Sequence, residues 1–319
     1  MRVLLAGATG VLGRRLVPML VNAGFEVTGT TRSAARMAEL EAAGASGVQM
    51  DGLDETSVER AMAEAEPEVV IHQLTSLAAM SANTKKFDQE FAATNRLRTT
   101  GTDNLLAAAR AVGATRFIAQ SYTGWPSERR GGWVKDETGP LDASPATESA
   151  SSHAAIRHVD EVVSRAGGID GIVLRYGGFY GPGTGMGAGG EMLTMVAERK
   201  MPIVGGGTGV WSFCHIDDAA AATVVAVVRG APGIYNIVDD DPAPVSEWLP
   251  HLAASIGAKA PRRLPAWLAR PMLGEHGISL MTQIRGSSNA KAKTELEWHP
   301  RYPSWREGFR AGLGEPALP

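Results

Sequence analysis

Two short stretches near the start of this 319-residue chain have the residue types and spacing to hold a phosphorylated ligand. In Gly7-Ala8-Thr9-Gly10-Val11-Leu12-Gly13, glycines recur every third residue directly after the apolar run Val3-Leu4-Leu5-Ala6. A strand, a glycine turn and a helix start in that order aim backbone N–H groups and a helix dipole at an anion, and glycine lets a pyrophosphate approach closely. The second stretch, Thr30-Thr31-Arg32-Ser33, ends the next β-type run. A carboxylate at that point would hold the ribose hydroxyls of NAD. Arg32, flanked by Thr31 and Ser33, instead offers a fork of donors to a 2′-phosphate, so NADP is preferred, with NAD still usable. Asp51 and Gly52 follow a third run, 47–50, which leaves Asp51 either beside the adenine amino group or in a solvated turn.

Positioning such groups requires a parallel sheet. The runs 3–6, 25–30, 69–71, 116–119 and 172–174 read as strands, and amphipathic stretches such as 11–22 and 102–111 lie between them. That alternation predicts an α/β, Rossmann-type doubly wound parallel sheet. Residues 1–175 form its core, completed by parts of 203–238, and 176–319 form mainly a smaller C-terminal substrate-binding lobe and cap. Residues 177–190 carry eight glycines and one proline, which predicts a mobile loop over the cleft. A helix after Glu191, a short strand near Ile203, a helix from Asp217 and a strand over 234–238 follow.

Composition narrows the function classes. With 44% hydrophobic and 20% charged residues and no long apolar run, no membrane span is expected. A net charge of -3 with scattered Lys and Arg gives no stripe for nucleic acid. Arg2 and a strand follow Met1 at once, and Cys214 is the single cysteine, so a cytoplasmic location is expected. His215, Asp217 and Asp218 lack a second His or Cys at ligand spacing, and Asp218 suits a helix cap, so no metal is expected. The chain has no Gly-x-Ser-x-Gly elbow, which argues against a hydrolase.

Five motifs together carry a family resemblance. They are the glycine turn, Asn95 to Leu106 (Asn-x6-Thr-x-Asn-Leu-Leu), Leu174-Arg175-Tyr176-Gly177-Gly178-Phe179-Tyr180-Gly181-Pro182-Gly183, His215-Ile216-Asp217-Asp218 and Tyr235-Asn236-Ile237. In that order the chain resembles the extended short-chain dehydrogenase/reductases, the NAD(P)-dependent epimerase/dehydratase-like proteins. The resemblance implies a dinucleotide lobe, a small-molecule substrate and often a homodimer. It also implies cofactor contacts from Thr9, Val11, Leu12, Leu74, Asn95 and Tyr176, with Tyr176, Phe179 and Tyr180 lining a loop above the nicotinamide.

The resemblance fails at the catalytic position. The family supplies a tyrosine and a lysine four residues later, but none of Tyr122, Tyr176, Tyr180, Tyr235 and Tyr302 has lysine at that spacing. Aligned on the following acidic residue, Glu161, the pattern falls on His153 and Arg157. Three readings stand open: His153 as acid/base with Arg157 holding the ribose; Tyr122 as donor from the position where the family keeps Ser or Thr, with Ser121 or Thr123 polarising a carbonyl; or no side-chain acid at all. Where sugar-nucleotide members carry an Arg-Asp pair, this chain reads Trp211-Ser212, which argues for a less charged substrate, with Trp125, Trp133 and Met186 as further pocket candidates. The expected activity is hydride transfer between a nicotinamide and a carbonyl or alcohol carbon of a molecule that is not a sugar nucleotide. Its rivals are a catalytically silent dinucleotide sensor and an epimerase or dehydratase that uses bound cofactor transiently.

Overall fold

A computed structural model describes residues 1–77 and 83–314. β1 (Arg2–Ala6), α1 (Gly13–Asn22), β2 (Glu26–Thr31), α2 (Met37–Ala42), β3 (Ser46–Gln49), α3 (Glu55–Ala65) and β4 (Val69–His72) make the first half. α4 (Phe87–Arg96) then runs through a π-helical turn, Leu97–Gly101, into α5 (Thr102–Ala111). β5 (Arg116–Tyr122), β6 (Val134–Lys135), α6 (Ala150–Ser164), β7 (Asp170–Tyr176) and β8 (Gly178–Tyr180) follow. The remainder comprises α7 (Glu191–Ala197), β9 (Ile203–Val204), β10 (Val210–Trp211), β11 (Phe213–His215), α8 (Ile216–Ala226), β12 (Gly233–Ile237), β13 (Ala243–Pro244), α9 (Val245–Ser255), β14 (Arg263–Leu264), α10 (Ala266–Thr282), β15 (Gly286–Ser287), α11 (Ala290–Glu295) and α12 (Trp305–Ala311).

Seven strands form one parallel sheet in the order β12-β7-β5-β4-β1-β2-β3. Helices cover both faces, which is why β1 and β4 read as unbroken apolar runs rather than alternating ones. One face packs Leu16, Val17 and Leu20 of α1 with Ala219, Ala222 and Ala226 of α8. The other packs Val58 and Met62 of α3, Leu105 of α5, and Val159 and Val163 of α6. The strand order reverses between β1 and β4, and at that point an open α/β sheet leaves a crevice beyond the carboxyl ends of its strands. The expected strands all form, and the late strand at 234–238 appears as β12, which pairs with β7 at the sheet edge.

The glycine-rich stretch differs from expectation. β8 runs through it and pairs in parallel with β11, and backbone bonds from Gly181 to Met186, Gly187 to Thr184 and Ala188 to Leu313 knit the remainder. A Cβ on Gly187 would sit 2.0 Å from the Gly181 carbonyl oxygen, so here glycine provides close approach of backbone to backbone. A second core lies beyond it. Trp211 stacks 6.0 Å from Phe213 and 5.1 Å from Trp248, and Trp305 and Phe309 close the cluster.

Candidate active site

Gly7 has φ +93°, and a Cβ there would meet the Gln73 carbonyl oxygen at 2.7 Å. A Cβ on Gly13 would stand 2.2 Å from the Gly7 carbonyl oxygen, so helix α1 starts hard against the turn only because both residues are glycine. α1 has no side-chain cap and no acidic residue in its first turn, which keeps its positive end open to an anion. The residues therefore fit a dinucleotide pyrophosphate. Thr9, Gly10, Val11 and Leu12 complete this loop.

At the end of β2, Thr31 is buried, and its hydroxyl accepts from the Ser33 backbone N–H at 3.2 Å. Arg32 and Ser33 are exposed beside it. Arg36, overlooked in the sequence, donates to the Thr9 carbonyl at 2.8 Å and so spans from this segment to the glycine turn. Its signal was a second arginine one helical turn after Arg32. Asp51 accepts from the Leu53 backbone N–H and closes its own turn beside Gly52.

At the residues expected to face a nicotinamide, several side chains are already committed to protein partners. Tyr176 is buried, with its hydroxyl accepting from Gln73 at 3.0 Å and bonded to Thr223 at 2.7 Å. Tyr180 packs against Phe309 in the second core, so neither ring lines a loop. Asn95 donates from Nδ2 to the Ser152 hydroxyl at 2.9 Å. The Leu74 backbone N–H donates to His72, and its carbonyl accepts from Gln120. Trp211 and Met186 belong to the second core, Trp133 is exposed and lies against Arg285, and Trp125 alone of the suggested aromatics joins the cluster described below. The helix cap at α8 is His215, which accepts from the Asp217 backbone N–H. Asp218 instead holds the backbone N–H groups of Arg301 and Tyr302.

Helix α6 shows which acid is anchored. Asp160 is 3% exposed and receives Arg175 Nε at 2.9 Å and Nη2 at 2.6 Å, whereas Glu161 is exposed. Counting back from Asp160 moves the Tyr-x-x-x-Lys positions by one residue, to Ser152 and Ile156, both fully buried. Ser152 donates to Asp88 at 2.6 Å. His153 and Arg157 border a groove with His158 and Glu161; His153 is nonetheless buried, its ring 6.2 Å from Trp125 and its Nε2–H donating to the Pro126 carbonyl, and Arg157 donates to that of Asp142. Burial pulls the His153 pKa down from its ordinary value. Ser121 is buried, and Thr123 is bonded to Ser287 at 2.6 Å.

Tyr122 ends β5 with its ring 6.3 Å from Trp125. Phe87 lies 5.4 Å from Trp125, 4.2 Å from Phe91 and 4.2 Å from His276, making an aromatic wall from α4, the β5 turn and α10. Burial pushes Tyr122 up to about 12, against the pull of the Arg98 charge. Gln73, Asn95, Arg98 and His276 each carry a buried polar atom without a hydrogen-bond partner, whereas Ser121 and Asp160 bond each other. Such groups are rare in folded interiors. Among the described residues no three or more His, Cys, Asp or Glu side chains group as a metal site. No described helix is long and apolar enough to cross a membrane.

A model of the NAD dependent epimerase/dehydratase family matches residues 3–238. A Streptomyces sp. protein named 3-diazoavenalumate denitrifying reductase is 43% identical over 97% of this chain and 99% of its own length. The 2-alkyl-3-oxoalkanoate reductase of Stenotrophomonas maltophilia is 27% identical, covering 81% of this chain and 76% of that protein. Among solved structures, the Thermus thermophilus UDP-glucose 4-epimerase complex with NAD superposes with a TM-score of 0.72 at 27% identity, covering 98% of each chain.

Proposed function

This chain belongs to the NAD-dependent epimerase/dehydratase family and is an NAD(P)-dependent oxidoreductase, and on that premise we propose that it is an NADPH-preferring reductase of a planar aromatic acid bearing a diazo group. The observation that carries the reading is the inward face of α6, where Ser152 and Ile156 stand in place of a tyrosine and a lysine. Reduction of a carbonyl makes an alkoxide that must gain a proton. Ser152 is bonded to Asp88 and Asn95, and Ile156 has no proton to give. Replacement of a diazonium group has no such requirement. The C–N bond's electron pair leaves with dinitrogen, the hydride's pair forms the C–H bond, and no oxygen needs a proton in the step. A nicotinamide held in the crevice would supply that hydride.

The protein's part is to bind, orient and exclude water. Phe87, Phe91 and Trp125 already pack on one another as a half-buried aromatic cluster, and a planar ring added to it gains stacking and dispersion. The Streptomyces relative's name, a diazo-bearing carboxylate that loses nitrogen, supports the same substrate class at 43% identity. NADPH preference is supported by Arg32 and Ser33 at the end of β2 and by Arg36 reaching to Thr9. A second reading, reduction of an aromatic ketone, draws on the Tyr122 phenol at the end of β5.

The test follows NADPH absorbance and dinitrogen release with an aryl diazonium carboxylate, beside an aryl ketone and a UDP-sugar. Equal amounts of NADPH consumed and dinitrogen formed are expected. Ketone reduction without dinitrogen release would favour the second reading, and turnover of the UDP-sugar alone would overturn both.

A further inference from the structure

The π-helical turn between α4 and α5 places Arg98 inside the protein, 7% exposed, with its guanidinium 5.9 Å from the centre of the Phe91 ring. Nε and Nη1 have no hydrogen-bond partner. Among the described residues, Asp160 and Tyr122 act on the Arg98 charge, and His72 feels it in turn. Asp160 already receives two bonds from Arg175. His72 is neutral near pH 7, since burial takes it to about 4. Residues 78–82, outside the described residues, read Ala-Ala-Met-Ser-Ala and bring no charge. Two guanidinium groups therefore share one carboxylate in a dry environment. Burial lowers Arg98 only to about 10, so it remains a cation.

A buried guanidinium that shares its only carboxylate is costly, and Arg98, whose Nε and Nη1 lack partners beside the half-buried Phe91 ring, keeps hydrogen-bonding capacity for an anionic oxygen. We propose that Arg98, with Tyr122 within electrostatic reach, forms a subsite for an anionic oxygen carried by the planar ring of the substrate. The cation that the family places on α6 has moved to the turn after α4, and the phenol has moved to the end of β5. In this arrangement Arg98 is a binding residue that stabilises negative charge on oxygen next to the reacting carbon. The inference rests on the reading of this face as the hydride-transfer site, but its test needs no hydride transfer.

The probes are 4-nitrophenol and benzoate, titrated into the protein with NADP⁺ bound. 4-Nitrophenol turns yellow on ionisation, so its absorbance reports which form is bound. Wild type is expected to bind the yellow anion and to lower the probe's pKa by about one unit, a tenfold preference. Arg98→Met is expected to bind the neutral phenol with that preference gone, and Arg98→Lys to restore part of it. Benzoate displacing nitrophenol in wild type but not in Arg98→Met would identify a carboxylate as an alternative source of the oxygen. Thermal melting accompanies each variant, because removing an uncompensated charge leaves stability equal or higher, whereas removing a structural arginine lowers it. Neutral phenol bound to wild type, or an unchanged anion preference in Arg98→Met, would overturn the subsite. Dinitrogen release with a neutral bound phenol would sink the subsite and leave the reductase reading standing. The reverse pattern would do the opposite.

Discussion

Arg32 and Arg36 lie at one end of the crevice, and Arg98 and Tyr122 at the other, so single substitutions separate cofactor choice from chemistry. Arg32→Ala should reduce the NADPH-over-NADH preference by about tenfold to a hundredfold, the range expected for losing a charge-assisted phosphate contact, read from the ratio of kcat/KM for the two cofactors. An unchanged ratio would move the clamp to Arg36 alone. Tyr122→Phe should cost any ketone reduction about 10²- to 10⁴-fold, the usual range for a proton donor, and cost dinitrogen release far less. Histidine titration gives a further test at this scale. His72 and His276 are both held to about 4 by burial, below the 6.5 of a free imidazole. The unfolded chain then binds more protons between pH 6.5 and 4, so stability is present above 6.5 and is lost as the pH falls through that window. Urea melts from pH 7 to pH 4 should show this loss, with a shallower slope for His276→Phe. A parallel pair of curves would rule out His276 as a contributor. Of these residues, Arg32 could be singled out from sequence because its proposed role depends only on its position after a strand. Arg98 was not. It sits inside the Asn95 to Leu106 motif at a position that looks like spacer, and only the packing of a π-turn against α6 gives it a role.

Elements explain the rest of what the sequence could and could not disclose. Strands buried on both faces announce themselves as apolar runs, so the sheet was readable nearly residue by residue. The phase of α6 was not, because Asp160 and Glu161 are adjacent acids and helical periodicity cannot choose between neighbours. Only the Arg175 pair across β7 selects Asp160. On the proposed reading, that one-residue shift puts Ser152 and Ile156 where the count from Glu161 puts His153 and Arg157. Likewise, eight glycines between 177 and 190 read as freedom, yet Gly177, Gly181, Gly187 and Gly190 serve close contact where β8 meets β11 and the loop folds on itself. The Asp160–Arg175 pair fixes α6 against β7, and breaking it from one side strands a buried charge. Arg175→Met should lower stability by about 3–5 kcal/mol in denaturant unfolding, whereas Glu161→Gln should stay within about 0.5 kcal/mol. Equal effects would mean that the helix phase is set by Glu161 after all.

At the scale of the whole molecule, the crevice lies where the first half of the sheet meets the second, so cofactor binding should tie both halves together. A ligand that binds only the folded state stabilises it by RT ln(1 + [L]/Kd), about 4.1 kcal/mol at a thousandfold excess over Kd. NADPH should therefore raise the melting temperature in proportion to the logarithm of its concentration, and more than NADH at equal concentration. Gly13→Ala isolates the turn as the cause. Its Cβ would stand 2.2 Å from the Gly7 carbonyl oxygen and 2.6 Å from that of Ala8, so the helix must back away from the loop and the amide cradle opens. Because Trp248 and its aromatic partners form a separate core cluster, that variant should still melt cooperatively. Its melting temperature should be lower without cofactor and nearly independent of NADPH. If Gly13→Ala shifted with NADPH as wild type does, the pyrophosphate would have to bind elsewhere, and the crevice between β1 and β4 would lose its claim to the cofactor.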